Sequence, residues 1–271
     1  MNLNDDRMAI FLTSNELQYL MGLLGVQTLV GIKPALLQGA ASGPGRASLL
    51  SRELLRAGQP EGTNRIRGDL LHLAMPLLFP GRALVAIRNL PKTGAQTLIF
   101  LNRLETTVLH SMPQNDVHRL IELETAQDGI RALTEWFPLQ GYIGSEVNAL
   151  IPSKDLDRFK KYAETDRDEL ALRALKVVQM PPEEKGFLLR AFKEMTVSGS
   201  FALLTIVGNT ITSAESLAVI ADQTTSWAIT SPNGNIQQTA YRVRRTGEDL
   251  PSIFRDMFTW LGGVSIDGKP V

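Results

Sequence analysis

The sequence predicts an α+β protein, an internally duplicated, quasi-twofold antiparallel sheet with packed helices. Two observations predict this fold. First, the segment that starts at Ala83-Leu84-Val85-Ala86-Ile87 matches the segment that starts at Ala202-Leu203-Leu204-Thr205-Ile206, and the match continues without a gap until Val117 meets Ile236. Second, each half of the chain reads as helices, then four strands, then a closing helix. Two copies of one supersecondary unit explain both observations.

The helices of the first half carry recognisable start and stop signals. Thr13 and Glu16 have the spacing of a capping box, an apolar stripe follows, and Gly25 suits the left-handed residue after the last turn. Glycine-rich residues 39–45 predict a loop. Two more helices are expected, at 48–57, stopped by Gly58, and at 69–79, where Pro76 predicts a kink or an end.

Four strands and a helix complete the first half. The strands are predicted at 84–88, 98–101, 106–112 and 117–123. Turn-forming residues separate them, and because the connections are short, the strands should form an antiparallel meander. Thr125 is the expected cap of the closing helix, and Pro138 its end.

The second half repeats this arrangement. Its predicted helices cover 155–164 and 168–180, and a third begins at Pro181-Pro182-Glu183-Glu184, where proline and acids suit a helix start. Its strands are predicted at 202–207, 217–221, 225–230 and 236–244, with a hairpin turn at 232–235, and the last helix follows residues 246–249.

The repeat divides the chain into residues 1–138 and 139–271, with the repeated units at 83–137 and 202–258. We expect one fused globular domain, because the joining segment 139–153 is too apolar for a solvated linker.

Composition excludes several classes of function. Lysine plus arginine and aspartate plus glutamate each number 28, so no net field favours nucleic acid, and the absence of cysteine excludes disulfides and thiolate chemistry. The acidic start of the chain is unlike a secretion signal, and the most apolar early segment, 19–32, is too short to span a bilayer. We therefore expect a cytoplasmic protein that does not insert into membranes.

No motif predicts catalysis or a cofactor. Gly43 to Ser48 lacks the ending of a phosphate-binding loop, and Ser198-Gly199-Ser200 misses the spacing of a nucleophile elbow. His110 and His118 flank a predicted hairpin turn and, in direct register, would form half of a metal site, but ordinary sheet histidines explain them better. His72 lies among leucines and is expected to pack.

Partner binding is the alternative use of the apolar and loop residues. The third helix of the second half has an apolar face containing Phe187, Leu188, Phe192 and Met195, which is either core or a groove for an amphipathic helix. The hairpin 89–96, with Pro91, Lys92 and Thr93 in its turn, is the better contact candidate, because loops on a rigid sheet commonly carry recognition. Arg242, Arg244 and Arg245 are too few for nucleic-acid binding and suit an edge strand.

In layout the chain resembles the EspG family. The resemblance lies in the capped first helix at Thr13-x-x-Glu16-Leu17, in Ala83 to Ile87 followed by Leu98-Ile99-Phe100-Leu101 and Val108-Leu109-His110, and in the second similar half. EspG proteins are cytoplasmic chaperones of mycobacterial type VII secretion. The resemblance implies a protein that binds the tip of a helical secretion substrate through sheet loops and the helices of the second half. The chain departs from it in loop 39–45 and in the closer likeness of its halves.

Three hypotheses follow from these observations. The first is a non-enzymatic chaperone or adaptor with a helical protein partner. The second is an enzyme or small-molecule-binding protein that uses a cleft between the halves, and the third is a structural subunit of a larger assembly.

Overall fold

A computed structural model describes residues 9–32, 42–58, 64–90, 94–114, 116–137, 145–208, 210–231, 240–247 and 250–262. The first half contains β1 (Ala9–Thr13), α1 (Ser14–Leu24), α2 (Ser42–Ser51), β2 (Leu55–Ala57), β3 (Asn64–Ile66), α3 (Gly68–Leu78), β4 (Arg82–Leu90), β5 (Gly94–Arg103), β6 (Thr106–Gln114), β7 (Val117–Leu123) and α4 (Ala126–Trp136). The second contains β8 (Asn148–Pro152), α5 (Ser153–Glu164), α6 (Asp168–Ala174), α7 (Pro182–Lys193), β9 (Val197–Val207), β10 (Thr210–Ala221), β11 (Ser226–Thr230), β12 (Ala240–Thr246) and α8 (Leu250–Gly262).

One antiparallel sheet runs through both halves. Among the described residues it has ten strands in the order β1-β7-β6-β5-β4-β9-β10-β11-β12-β8. Read outward from the central β4–β9 pair, the two halves have the same strand order, so the predicted duplication and the predicted fold class are confirmed. A separate two-stranded pair, β2 with β3, belongs to the first half.

The quasi-twofold axis passes between two leucines. The repeat makes Leu84 equivalent to Leu203, and the β4–β9 register places these same two residues opposite each other. Equivalent residues that pair with each other mark the axis of a twofold arrangement. The two halves therefore join through their corresponding strands.

Helices cover both faces of the sheet, because buried side chains alternate along the central strands. On one face, α1–α3 pack on the first half and α5–α7 on the second, around residues such as Ile99 and Trp227. On the opposite face, α4 and α8 pack together over Phe100 and Phe201. The sheet is therefore the middle layer of three.

Local signals set several of the helix boundaries. Thr13 and Glu16 form the predicted capping box, and Gly25 closes α1 with a φ of 71°. Thr125 and Asp128 form a second capping box at α4, and α3 ends two residues after Pro76. Some of the predicted features fall outside the described residues. These are the helix end at residue 138, the hairpin turn at 232–235, the strand residues 236–239 and part of loop 39–45.

The structure corrects several predicted elements. The helix predicted at 48–57 starts earlier and stops at Ser51, because Glu53 adopts a φ of 55° and the chain then forms β2. The helix predicted at 168–180 ends at Ala174. The edge strands β1 and β8 were not predicted, since each has five residues and runs directly into a helix. None of the helices described is long and apolar enough to cross a bilayer.

Candidate functional site

His110 and His118 form a buried hydrogen-bonded line with Ser14. His110 Nε2 lies 3.0 Å from His118 Nδ1, and His118 Nε2 lies 3.2 Å from Ser14 Oγ. The register pairs His110 with Leu120, so the two histidines are diagonal neighbours on one face and not directly opposite each other. Ser14 starts α1, so this line ties that helix to β6 and β7.

Burial keeps both imidazoles neutral. It lowers the pKa of His110 to about 3, helped by the neighbouring His118. Burial also lowers the pKa of His118, although the charge of Asp116 acts in the opposite direction. Two neutral rings can share one N–H donor between the facing nitrogens, which satisfies these two atoms, whereas the buried Nδ1 of His110 has no hydrogen-bond partner among the described residues.

The serine–histidine line is closed off from solvent. Ser14, His110 and His118 are all buried, and none of them lines the four cavities described below. No group of three or more histidine, aspartate or glutamate side chains suited to a metal occurs within the described residues. The three side chains form a hydrogen-bonded line within the core.

A buried carboxylate stands beside this network at the start of α1. Glu16 is fully buried, and its oxygens accept hydrogen bonds from the Thr13 backbone, from Ser48 Oγ at 2.7 Å and from Arg52 Nη1 at 2.7 Å. A buried carboxylate is stable only when its oxygens are satisfied in this way. Glu16 therefore fixes α2 against α1.

His72 does not pack in the core as predicted. Its Nε2 lies 2.9 Å from Glu122 Oε1 at an exposed position between α3 and β7. The apolar neighbours of His72 in the sequence lie on the other sides of α3.

The predicted apolar face of α7 is mostly occupied within the chain. Leu188 is fully buried in the core of the second half, so it is not at the surface. The guanidinium carbons of Arg190 and Arg245 lie 5.3 Å and 4.8 Å from the ring centroid of half-buried Phe187. Phe192 packs edge-on against buried Phe159 at 5.4 Å.

The β4–β5 hairpin and the end of α7 lie at the same end of the sheet. Pro91, Lys92 and Thr93 lie outside the described residues, but the strands on either side of them are described. Asn89 pairs with Ser198, three residues after Met195, which follows α7 and is 39% exposed. We call the exposed residues Asn89, Gly94, Ala95 and Met195 the hairpin edge. It combines the ends of two hairpin strands with a residue that follows α7.

The arginines near the end of the chain have separate roles. Arg245 forms an ion pair with Glu184 at 3.0 Å, and both side chains are mostly buried. Arg242 and Arg244 lie on the opposite face of β12, as strand alternation predicts. Three arginines divided between two faces do not make one basic patch.

Four cavities are lined by described residues. Two flank α8 on the sheet face that it covers, with volumes of 670 Å³ and 410 Å³. A third, of 210 Å³, lies beneath the β9–β10 hairpin, and a fourth, of 690 Å³, is an open hollow between α3 and the β5–β6 turn. None of these four cavities is lined by both a histidine and an aspartate.

A solved structure resembles this fold along its whole length. It is the Mycobacterium tuberculosis type VII secretion system chaperone EspG5, solved in complex with a PE25-PPE41 dimer. The two chains superpose with a TM-score of 0.65 over 97% of this chain and 98% of EspG5, at 11% sequence identity. This chain has the EspG5 fold. No protein-family model matches the sequence, and no curated protein does.

The likeness to EspG5 covers both halves, so the duplicated sheet is a property of that fold and not an addition in this chain. The sequence placed Met195 in the apolar face of the third helix, but the structure places it two residues after the end of α7, with 39% of its surface exposed. Sequence reasoning missed Leu104, an exposed leucine in the β5–β6 turn.

Proposed function

We propose that this chain is a non-enzymatic binding protein that serves as a chaperone or adaptor for a helical secretion substrate. One observation carries the proposal: the fold matches a type VII secretion chaperone over nearly all of both chains. The layout of the sequence, which resembles the EspG family, supports the same function. The proposed site of action is the cytoplasm, where EspG chaperones work.

The hairpin edge is the proposed substrate-binding surface. It offers exposed backbone at Gly94 and the small side chain of Ala95, beside the exposed side chain of Met195. Methionine adapts to varied apolar partners, and loops on a rigid sheet commonly carry recognition. Pro91, Lys92 and Thr93 join Asn89 to Gly94, so we include them in this surface. Phe192 follows Leu188 on α7 and packs against Phe159, and the buried Leu188 is omitted.

Co-expression with a candidate substrate tests the proposal. The probe is the pair of small helical proteins encoded nearest to this chain in its genome, expressed with and without the chain. We expect the pair to aggregate alone and to be soluble, in a stoichiometric complex, when the chain is present. Ala95→Arg and Met195→Glu should each weaken the complex at least tenfold in a titration, because they place charge in an apolar contact.

Val177→Glu is the matched control, because Val177 is 79% exposed and lies outside the hairpin edge. It should bind as the unchanged chain does. Soluble helical proteins that never associate with the chain would contradict the chaperone function. A small molecule recovered in stoichiometric amount would favour the ligand-binding hypothesis instead, and recovery only within a large fixed assembly would favour a structural subunit.

A further inference from the structure

The turn between β5 and β6 holds an unusual leucine. Leu104 is 86% exposed and adopts a φ of 55°. Arg103 pairs with Thr106, so Leu104 is the first residue of a two-residue hairpin loop. Glycine is favoured at this loop position when its φ is positive, because a Cβ atom crowds the backbone in that conformation.

Neither property of Leu104 is explained by folding. Because the side chain is exposed, it contributes almost no burial of apolar surface to the fold. Its backbone conformation is also unfavourable for a branched side chain. Glu53 and Asp166 also have a positive φ, but they follow α2 and α5, where that conformation ends a helix. Leu104 ends no helix.

The equivalent turn in the second half is built differently. Between β10 and β11, buried Asp222 accepts hydrogen bonds from the backbone amides of Thr224 and Thr225, both at 2.6 Å, and from Arg190 at 2.9 Å. Burial acts to raise the pKa of Asp222, but these hydrogen bonds lower it overall. The second turn is thus fixed by its own chain, whereas the first displays an apolar side chain.

Leu104 stands between two of the cavities. On one side is the 670 Å³ cavity, where Leu123, Ile130 and Phe258 supply apolar wall between α4 and α8. On the other side is the open hollow along α3, lined by Met75 and Pro76. The leucine therefore forms a ridge with a concave surface on each side.

The charges around this ridge are mainly negative. Glu105 and Glu124 are exposed and line the 670 Å³ cavity, which Arg255 also lines. Arg103 is engaged within the chain, since it donates to the Phe79 carbonyl oxygen at 2.6 Å and stacks on the Phe79 ring. An approaching surface would meet two carboxylates beside Leu104.

We propose that residues 103–106, the Leu104 turn, dock a second protein partner. That partner offers an apolar pocket for the Leu104 side chain, with lysine or arginine at its rim to pair with Glu105 and Glu124. Complementary charge fixes such a contact, and one buried aliphatic anchor contributes much of its affinity.

The Leu104 turn is separate from the hairpin edge. β5 has ten residues and runs from one to the other, a distance of roughly 30 Å at strand rise. The docking proposal therefore does not depend on the proposed chaperone function.

Site-specific crosslinking in the native host, followed by purified binding, tests the proposal. Benzoylphenylalanine replaces Gln127, which is exposed and lines the 670 Å³ cavity. The protein captured there is then purified and titrated against the full chain. We expect Leu104→Gly to weaken binding at least tenfold, and Glu105→Lys with Glu124→Lys to weaken it by a similar factor and to reduce its salt dependence.

Three controls make the outcome decisive. Val177→Gly removes another exposed apolar side chain and should leave binding unchanged. Leu104→Gly should keep or raise the melting temperature, so lost binding cannot come from unfolding. Leu104→Gly should also leave the co-expressed helical pair bound at the hairpin edge. No crosslinked protein, or equal affinity for Leu104→Gly, overturns the docking proposal and leaves the chaperone proposal intact.

Discussion

The buried histidines make stability depend on pH at the scale of single residues. Because burial lowers both pKa values, the unfolded chain binds protons at a pH where the folded chain does not. The free energy of unfolding should therefore be largest above about pH 6.5 and fall as the pH drops toward 3. The slope contributed by His110 is about 1.4 kcal/mol per pH unit in that window.

Urea unfolding at pH 7, 6 and 5 measures this slope. His110→Gln keeps a side-chain amide near the position of Nε2 and removes one titrating group, so it should reduce the slope. A slope that His110→Gln leaves unchanged would contradict the buried origin of the effect.

Removal of the Leu104 side chain should raise the stability of the protein, which is unusual for a leucine. Leu104→Gly relieves a backbone conformation that costs other residues about 1 kcal/mol, and it loses almost no burial. We expect the melting temperature to rise by roughly 2 °C, which corresponds to just under 1 kcal/mol for a chain of this size. Calorimetry measures the change, and a clear fall would show that the leucine supports the fold.

At the scale of elements, α4 packs against α8 at a glycine. A Cβ on Gly129 would lie 2.1 Å from Phe258 Cε1. Gly129→Ala should therefore lower the free energy of unfolding by about 1–3 kcal/mol, although alanine favours a helix. Gly186→Ala in α7 is the matched control, because no atom lies within 4 Å of its added Cβ. It should raise stability by up to about 1 kcal/mol in the same denaturant titration.

The elements also show how far the sequence could predict the structure. The capping boxes at Thr13 and Thr125 predicted their helices because cap hydrogen bonds join residues three apart. β1 and β8 escaped prediction because a five-residue edge strand carries too little alternation to stand out. The diagonal histidine pair was out of reach, since a β-bulge between Ser111 and Gln114 helps set the β6–β7 register.

At the scale of the whole molecule, the continuous sheet argues that residues 1–138 and 139–271 unfold together. β4 and β9 pair along eight residues, and Leu84 and Phe201 contribute to one core with α4 and α8. We expect a single transition when Trp136 reports on the first half and Trp227 on the second, each as the only tryptophan of a phenylalanine-substituted variant. Two separated midpoints in urea would show two independent domains.

The self-pairing of Leu84 with Leu203 has a consequence for ancestry. A half-length polypeptide would meet its own copy at this leucine, so two such polypeptides could associate into the same sheet as a homodimer. Covalent fusion removes the dependence of that association on concentration and frees each copy to diverge. The differing turns at Leu104 and Asp222 are the kind of specialisation that a symmetric homodimer cannot acquire on one side only.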